Sequence, residues 1–338
     1  MDISFKKCYI TFNEHKINCQ CGFRGFEKND FVRPFSHQTI RFEELVANIC
    51  QLMPLTNVCD LISIDWKTAK CIDIHYMKQK LVTLDQIIPK RIGIDEIAYE
   101  KGHKYLTVVR DFDLGKVIWV GIGRKKDTLD QFFKDLGGVK RFLVKLVTID
   151  MWDPYIASIR ENCPYAVIVI DKFHVIKKIN EALDKIRRKM FAQADKSTKK
   201  EMKRKRFVIL KRQKNLNQKQ LESLKEISRI NQPLYEAYLL KEQISDIFEE
   251  KDEEVAIKRL GVWMSNVINS GLAPLFKCVK TMCRYIDGIR NYFKYNLTNA
   301  ASEGFNTKIN VIKRRAFGYV DLDYFILKIH QIVGVSAT

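Results

Sequence analysis

Long apolar runs are missing from this chain of 338 residues. No window approaches the ~18 consecutive apolar residues of a membrane span. The opening Met-Asp-Ile-Ser-Phe-Lys-Lys has no apolar core, so neither a spanning helix nor a secretory signal is expected. Paired Cys-x-x-Cys spacings are missing as well. The nine cysteines lie scattered at 8, 19, 21, 50, 59, 71, 163, 278 and 283. Without a signal peptide they read as reduced thiols, which argues against a disulfide-built secreted domain and predicts a cytoplasmic protein. Internal repeats and low-complexity segments are absent. Negative charge is in short supply, with 40 Asp and Glu against 59 Lys and Arg, a net charge of +19 and a pI near 9.4. Such an excess calls for a polyanionic partner, most commonly nucleic acid, although a ribosomal or membrane-surface protein could share the number.

What is present divides the chain by composition. Residues 1–38 are mixed and carry Cys19-Gln-Cys21. Residues 39–80 read as three helices: Thr39 caps one carrying Phe42, Leu45, Val46, Ile49 and Leu52, which Pro54 ends, then come a short second helix and a third from about Asp65 to Gln79. Three helices with short turns are the layout of a helix-turn-helix. Strand patterns follow at Ile92–Ala98, Tyr105–Asp111, Lys116–Ile122, Phe142–Asp150 and Ala166–Asp171, with a helix over about Asp127–Leu136. The order predicts a mixed α/β sheet with helices on its faces. The remainder, 174–338, reads as almost wholly helical. Between Lys185 and Lys219 stand fifteen Lys or Arg against two Asp or Glu.

One stretch concentrates chemistry. Read as a helix opening near Thr298 or Asn299, it sets Glu303, Asn306, Asn310 and Arg314 on one polar face, with Phe305, Ile309 and Ile312 opposite. Lys313-Arg314-Arg315 follow, a combination suited to a site handling both metal and phosphate. Upstream, Asp95 falls within the first strand of the sheet and Asp150 at the tip of a buried one, where ligands gather in sheets with parallel strands. Asp153-Pro154 reads as the cap and first residue of the next helix, leaving Asp150 free of capping duty. Two strand carboxylates and a helical one supply hard oxygen ligands for Mg²⁺ or Mn²⁺. Each also has a plain structural reading, as a turn, cap or dipole residue. Asp111 and Asp113, beside a hairpin turn, are given no chemistry.

The motifs together resemble a family. Ile-Gly-Ile-Asp-Glu (92–96) with Lys-Gly-His-Lys-Tyr (101–105), Asp-Met-Trp-Asp-Pro-Tyr (150–155), Asp-Lys-Phe-His-Val-Ile-Lys-Lys (171–178) and Thr-Asn-Ala-Ala-Ser-Glu-Gly-Phe-Asn (298–306) look like the DDE transposases of bacterial insertion sequences, ISL-three family. The match runs in order from about residue 40 to 335. It implies an RNase H-like catalytic core in two parts, 88–174 and 296–338, interrupted by an all-α insertion at 175–295 and preceded by a helix-turn-helix at 39–80. Asp95, Asp150 and Glu303 become the catalytic, metal-holding triad. His174, in the family's Asp-x-x-His element with Asp171, either orients a scissile phosphate, braces the site, or is a hydrogen-bonded histidine at a strand–helix junction. Trp263 is placed where related transposases use an aromatic to stack on an unpaired base, but its apolar neighbours favour core packing.

The implied partner is double-stranded DNA, both terminal inverted repeats and target. Lys67, Thr68 and Lys70 of the third helix would face the major groove. The run containing Lys203, Arg204, Lys205 and Arg206, together with Lys313, Arg314 and Arg315, would meet the backbone. Strand transfer needs two ends paired, so a homodimer or larger assembly on DNA is expected, with no membrane partner. The family's zinc ribbon is reduced at 1–38 to Cys19-Gln-Cys21, with Cys8 and His15 irregularly spaced. A structural Zn²⁺ is therefore not expected, and the chain reads as a truncated or decayed copy at this end. Two alternatives share these features: an inactive relic that represses by binding element ends, and a structure-selective nuclease. Retention of all three carboxylates opposes the first. The Asn-Ala-Ala-Ser-Glu-Gly-Phe-Asn segment and the long insertion oppose the second.

Overall fold

Apolar, β-branched residues in three consecutive segments build the centre of the molecule. The computed structural model describes residues 9–13, 15–27, 30–34, 36–203, 205–297, 300–316 and 318–335, with 300–303 given as backbone. A small hairpin of β1 (Lys16–Asn18) and β2 (Arg24–Phe26) comes first, with Cys19 and Cys21 exposed at its turn. Three helices follow: α1 (Ile40–Leu52), α2 (Leu55–Ile62) and α3 (Trp66–Lys80). Thr39 accepts from the Phe42 N–H and Asp65 from the Thr68 N–H, each satisfying a first-turn donor. Val46, Cys50, Val58, Ala69 and Ile72 fill the space between the three.

The main sheet comprises β3 (Arg91–Glu100), β4 (Lys104–Asp111), β5 (Lys116–Ile122), β6 (Leu146–Ile149) and β7 (Val167–Ile170), in the order β5-β4-β3-β6-β7. The first three form an antiparallel meander, while β6 and β7 run parallel to β3. Gly115 turns the β4–β5 hairpin with φ +61, and Asp111 Oδ1 accepts from the N–H groups of Asp113 and Leu114. The strand expected over 142–150 starts later, because Lys140–Leu143 winds into a 3₁₀ turn before β6. Ile92 and Ile94 point to one face, which α4 (Lys126–Leu136) and α5 (Asp153–Asn162) cover with Leu129, Phe132, Phe133, Tyr155 and Ile159. Ile97, Leu106 and Val108 point to the other, covered by Ile309, Phe325 and Ile329 of α14 (Ala300–Arg315) and α15 (Leu322–Val333).

Between these faces in sequence come eight helices: α6 (Lys172–Gln193), α7 (Lys196–Met202), α8 (Arg206–Leu210), α9 (Gln218–Ile230), α10 (Gln232–Ile247), α11 (Glu253–Asn269), α12 (Ala273–Arg284) and α13 (Ile286–Tyr295). Trp263 is 1% exposed and donates from Nε1 to the Leu240 carbonyl at 2.8 Å, so it is core. Helix α13 lies along the edge strand β7, where Asn291 Nδ2 donates to the Ile168 carbonyl at 2.8 Å. A covered edge cannot pair with another chain. Among the described residues, no helix is long and apolar enough to cross a membrane.

The N-terminal helices are tied to α15 through a buried charge cluster. Lys328 Nζ lies 2.6 Å from Asp73 Oδ2 and donates to the Cys50 carbonyl at 2.9 Å, while Tyr324 OH donates to the same Asp73 oxygen at 2.6 Å. Lys70 Nζ meets Asp321 Oδ2 at 2.6 Å on the rim.

Candidate active site

Parallel pairing brings three aspartates to one level. The β3–β6 register pairs Arg91 with Leu146 and Gly93 with Thr148, so the same offset, two residues on, sets Asp95 beside Asp150. The β6–β7 register ends with Ile149 opposite Ile170, and one more step sets Asp150 beside Asp171. Level residues on neighbouring strands share a face. Each aspartate is then held differently. Asp95 Oδ2 accepts from Asn306 Nδ2 of α14 at 2.6 Å, and its Oδ1 accepts from the Glu96 N–H at 2.7 Å. Asp150 Oδ1 lies 2.6 Å from His174 Nε2. Asp171 caps α6, accepting from the Phe173 N–H at 3.1 Å, and its Oδ2 is 3.8 Å from His174 Nε2.

Ligand atoms of Asp95, Asp150 and His174 all lie within 4.8 Å of one another. Burial pushes the Asp150 carboxyl above its ordinary range, and the nearby Asp95 adds to this, while His174 pulls it back. Asp171 is raised for the same first reason, burial, with Asp150 and Asp95 adding. Burial alone would lower His174, but the surrounding carboxylates outweigh it and the net direction is up. Negative charge packed this closely is relieved by a cation. Two carboxylates and one imidazole form a donor set that fits a divalent metal ion.

Arg110 was not legible as part of this centre. It sits on β4 opposite Gly93, 4% exposed, with Nε and Nη2 lacking partners among the described residues. Burial drags its guanidinium down to about 10, while Asp95 and Asp171 act in the opposite direction. Its ring neighbours are Phe112, centroid 4.5 Å away, and Phe305 of α14, at 5.9 Å. Strand alternation could have found it, since Arg110 pairs with Gly93, two residues from Asp95 on the same face of β3. Asn306 carried a plainer signal: it stands three residues after Glu303 on the expected polar face.

The other expected residues divide. Glu303 lies in the first turns of α14, one turn before Asn306, with its side chain outside the described residues; Thr298, Asn299 and Arg204 also fall outside them. Phe305 is partly buried, and Ile309 and Ile312 are buried, as the helix reading requires. Asp153 is not the cap of α5. Trp152 occupies that position, Pro154 stands second, and Asp153 instead accepts from Tyr285 OH at 2.5 Å and faces Arg284. Lys67 is exposed, and Thr68 is partly buried with its N–H and hydroxyl turned to Asp65. Lys70 does not project freely, because Asp321 holds it between Trp66 and Tyr324.

The basic run is partly neutralised within the fold. Arg187, Arg188 and Arg206 converge on Asp184, Lys205 meets Glu226, Arg212 meets Glu242, Asp246 and Glu249, and Lys214 meets Glu249. Lys203 stays exposed. Lys313 donates to the Ala98 carbonyl at 2.7 Å and Arg315 to that of Leu52 at 3.3 Å, whereas Arg314 is exposed.

A family model described as "Transposase", of the ISL-three DDE group, matches residues 92–329. The transposase for insertion sequence element IS1001 of Bordetella parapertussis is 31% identical over 315 residues, covering 92% of this chain and 77% of that one. The transposase for insertion sequence element IS1557 of Mycobacterium tuberculosis is 29% identical over 343 residues, covering 94% and 77%.

Proposed function

The chain belongs to the ISL-three family of insertion-sequence transposases, and on that premise we propose that it cuts and joins DNA at terminal inverted repeats by metal-dependent phosphoryl transfer, with Asp95, Asp150 and Glu303 as the triad. The observation that carries this reading is the meeting within 4.8 Å of Asp95 in β3, Asp150 just past β6 and His174 in the first turn of α6. Helix α14 adds support, because Asn306 reaches Asp95 from the helix that also bears Glu303. A meander of three antiparallel strands continued by two parallel ones favours the RNase H-like description. In this reading 88–174 and 296–338 form the core, 175–295 the insertion and 39–80 a helix-turn-helix.

Asp95, Asp150 and Glu303 would hold Mg²⁺ or Mn²⁺, and the bound ion supplies activation of the attacking oxygen and neutralisation of the phosphate. The residues around them do the positioning. Asn306 fixes one oxygen of Asp95, His174 steadies Asp150, and Asp171 anchors the start of α6 so that the imidazole is aimed. Water attacks the phosphodiester at the element end, leaving a 5′-phosphate on one side and a free 3′-hydroxyl on the other. That hydroxyl then attacks a target phosphodiester and displaces the target's own 3′-oxygen, and alignment does much of the work. Lys67 and Thr68 contact the repeat, Lys203, Arg206 and Arg314 contact the backbone, and Lys70, Lys205, Lys313 and Arg315 brace the fold through the pairings above. A homodimer or larger assembly pairs the two ends.

The test is cleavage of a labelled duplex carrying the element's terminal repeat, with Mg²⁺ or Mn²⁺ and with EDTA. Nicking at the element boundary should require metal and disappear in Asp95→Asn, Asp150→Asn and Glu303→Gln while DNA binding persists. Normal nicking by any one variant would remove that residue from the triad. Binding by the wild type without nicking would leave a repressor in place of an enzyme.

A further inference from the structure

We propose that the groove along α6 holds an unpaired stretch of DNA beside the cleavage point, with the Phe173 ring stacked on its first base. This rests on the transposase reading and adds a binding site to it. Phe173 is 50% exposed although it stands next to His174 and directly follows Lys172 at the start of the helix that Asp171 caps. A large apolar ring left half in water beside a charged centre has a face to offer a ligand. The ring meets that of His174 edge-on, centroids 5.5 Å apart, so whatever stacks on Phe173 lies one side chain from Asp150.

From Phe173 a groove of about 510 Å³ runs along α6 toward α8, past Lys177, Asn180, Lys185, Arg188 and Arg206. Four of these residues are cationic. Two acids also line it, Glu181 and Asp184, but Asp184 already receives Arg187, Arg188 and Arg206. The groove is therefore basic on balance, and it opens beside the active centre, because Phe173, which lines it, meets His174 edge-on. Asn180 Oδ1, buried in the wall, has no donor among the described residues. Phe207, outside the groove lining and 72% exposed, has its ring centre 5.9 Å from the Arg206 guanidinium.

An aromatic face at the mouth and cations along the floor are what a single strand needs. Stacking takes any base and the cations track the phosphates, so such a site tolerates sequence. Paired bases inside a duplex have both faces covered by their neighbours and cannot use Phe173. The occupant is therefore the strand melted at the element boundary.

The experiment measures binding in EDTA, where no cleavage occurs. A duplex with a short unpaired 3′ tail containing 2-aminopurine is compared with the blunt duplex, by anisotropy and by 2-aminopurine fluorescence. The tailed duplex should bind more tightly and its fluorophore should be quenched. Phe173→Ala should abolish the quench and weaken tailed-duplex binding about 5- to 150-fold, the range expected for one stacked base. Phe173→Tyr and Phe173→Trp should retain both. Lys177→Glu and Arg206→Glu should flatten the salt dependence, by roughly 0.7 in log–log slope for each phosphate no longer neutralised. Quenching unchanged in Phe173→Ala, or equal affinity for tailed and blunt DNA, would overturn the proposal. A tail quench in EDTA together with no nicking by the wild type in a parallel Mg²⁺ or Mn²⁺ assay would count against the enzyme reading alone.

Discussion

Replacing Lys328 by Met tests how the N-terminal helices are held to the sheet. The Asp73 side chain is 0% exposed and that of Lys328 6%, and the pair joins α3 to α15. Methionine fills the volume of the lysine stem, so no cavity forms, but Asp73 is left with the Tyr324 hydroxyl alone. Its Oδ1 already lacks a partner among the described residues. An uncompensated buried charge costs about 3–5 kcal/mol, and the Cys50 carbonyl that Lys328 satisfied adds ~1–3 kcal/mol if it stays dry. Guanidinium unfolding followed by circular dichroism should therefore show a loss of about 4 kcal/mol or more. The Asp73→Leu/Lys328→Met double variant removes both charges and should lose less than the single one, since apolar replacement of a buried pair is often neutral. A single-variant loss under ~1 kcal/mol, or a double variant worse than either single, would refute the reasoning.

Three further outcomes are expected. Asn306→Ala should lower the nicking rate about 10- to 100-fold with unchanged duplex affinity, because Asp95 loses its orienting donor; an unchanged rate in single-turnover assays would remove Asn306 from the site. Gly288→Ala should cost ~1–3 kcal/mol in chemical denaturation, since its Cβ would fall 2.7 Å from Ile170 Cγ1 and 3.5 Å from the Ile170 backbone nitrogen, forcing α13 off β7. Burial lowers His330 from 6.5 to about 4, so the unfolded chain takes up a proton that the native state refuses. Stability is full above pH ~6.5 and falls as pH drops toward about 4, by ~3 kcal/mol in all. Comparing denaturation curves at the two ends of that window for His330→Gln and wild type checks the sign, for the variant should lack this part of the slope.

The elements themselves were largely legible from the chain. Apolar, β-branched runs marked β3, β4 and β5, Thr39 and Asp65 marked the starts of α1 and α3, and the spacing of Phe305, Ile309 and Ile312 marked the buried face of α14. These are local signals, set by backbone geometry within a few residues. Composition likewise announced an anionic partner. Misreadings arose where a neighbour distant in sequence intervened. Asp153 reads as a helix cap until Tyr285, 132 residues away, claims it, and Lys70 reads as a groove contact until Asp321 takes it. The charge run between 185 and 219 reads as mutually repelling, yet Asp184, Glu226, Glu242, Asp246 and Glu249 fold over part of it.

The acidic centre divides along the same line. The residue types of Asp95, Asp150 and His174, and the motifs around them, were written in the chain before any fold was known. Their meeting was not, because it depends on which strand lies beside which and in what register. A parallel pairing slipped by one residue would send Asp95 and Asp150 to opposite faces of the sheet. Burial of Arg110 over Gly93, the reach of Asn306 to Asp95, and the basic groove opening from Phe173 are likewise products of packing between segments far apart in sequence. Sequence determined which groups were available for chemistry, and tertiary structure alone determined which of them stand within bonding distance.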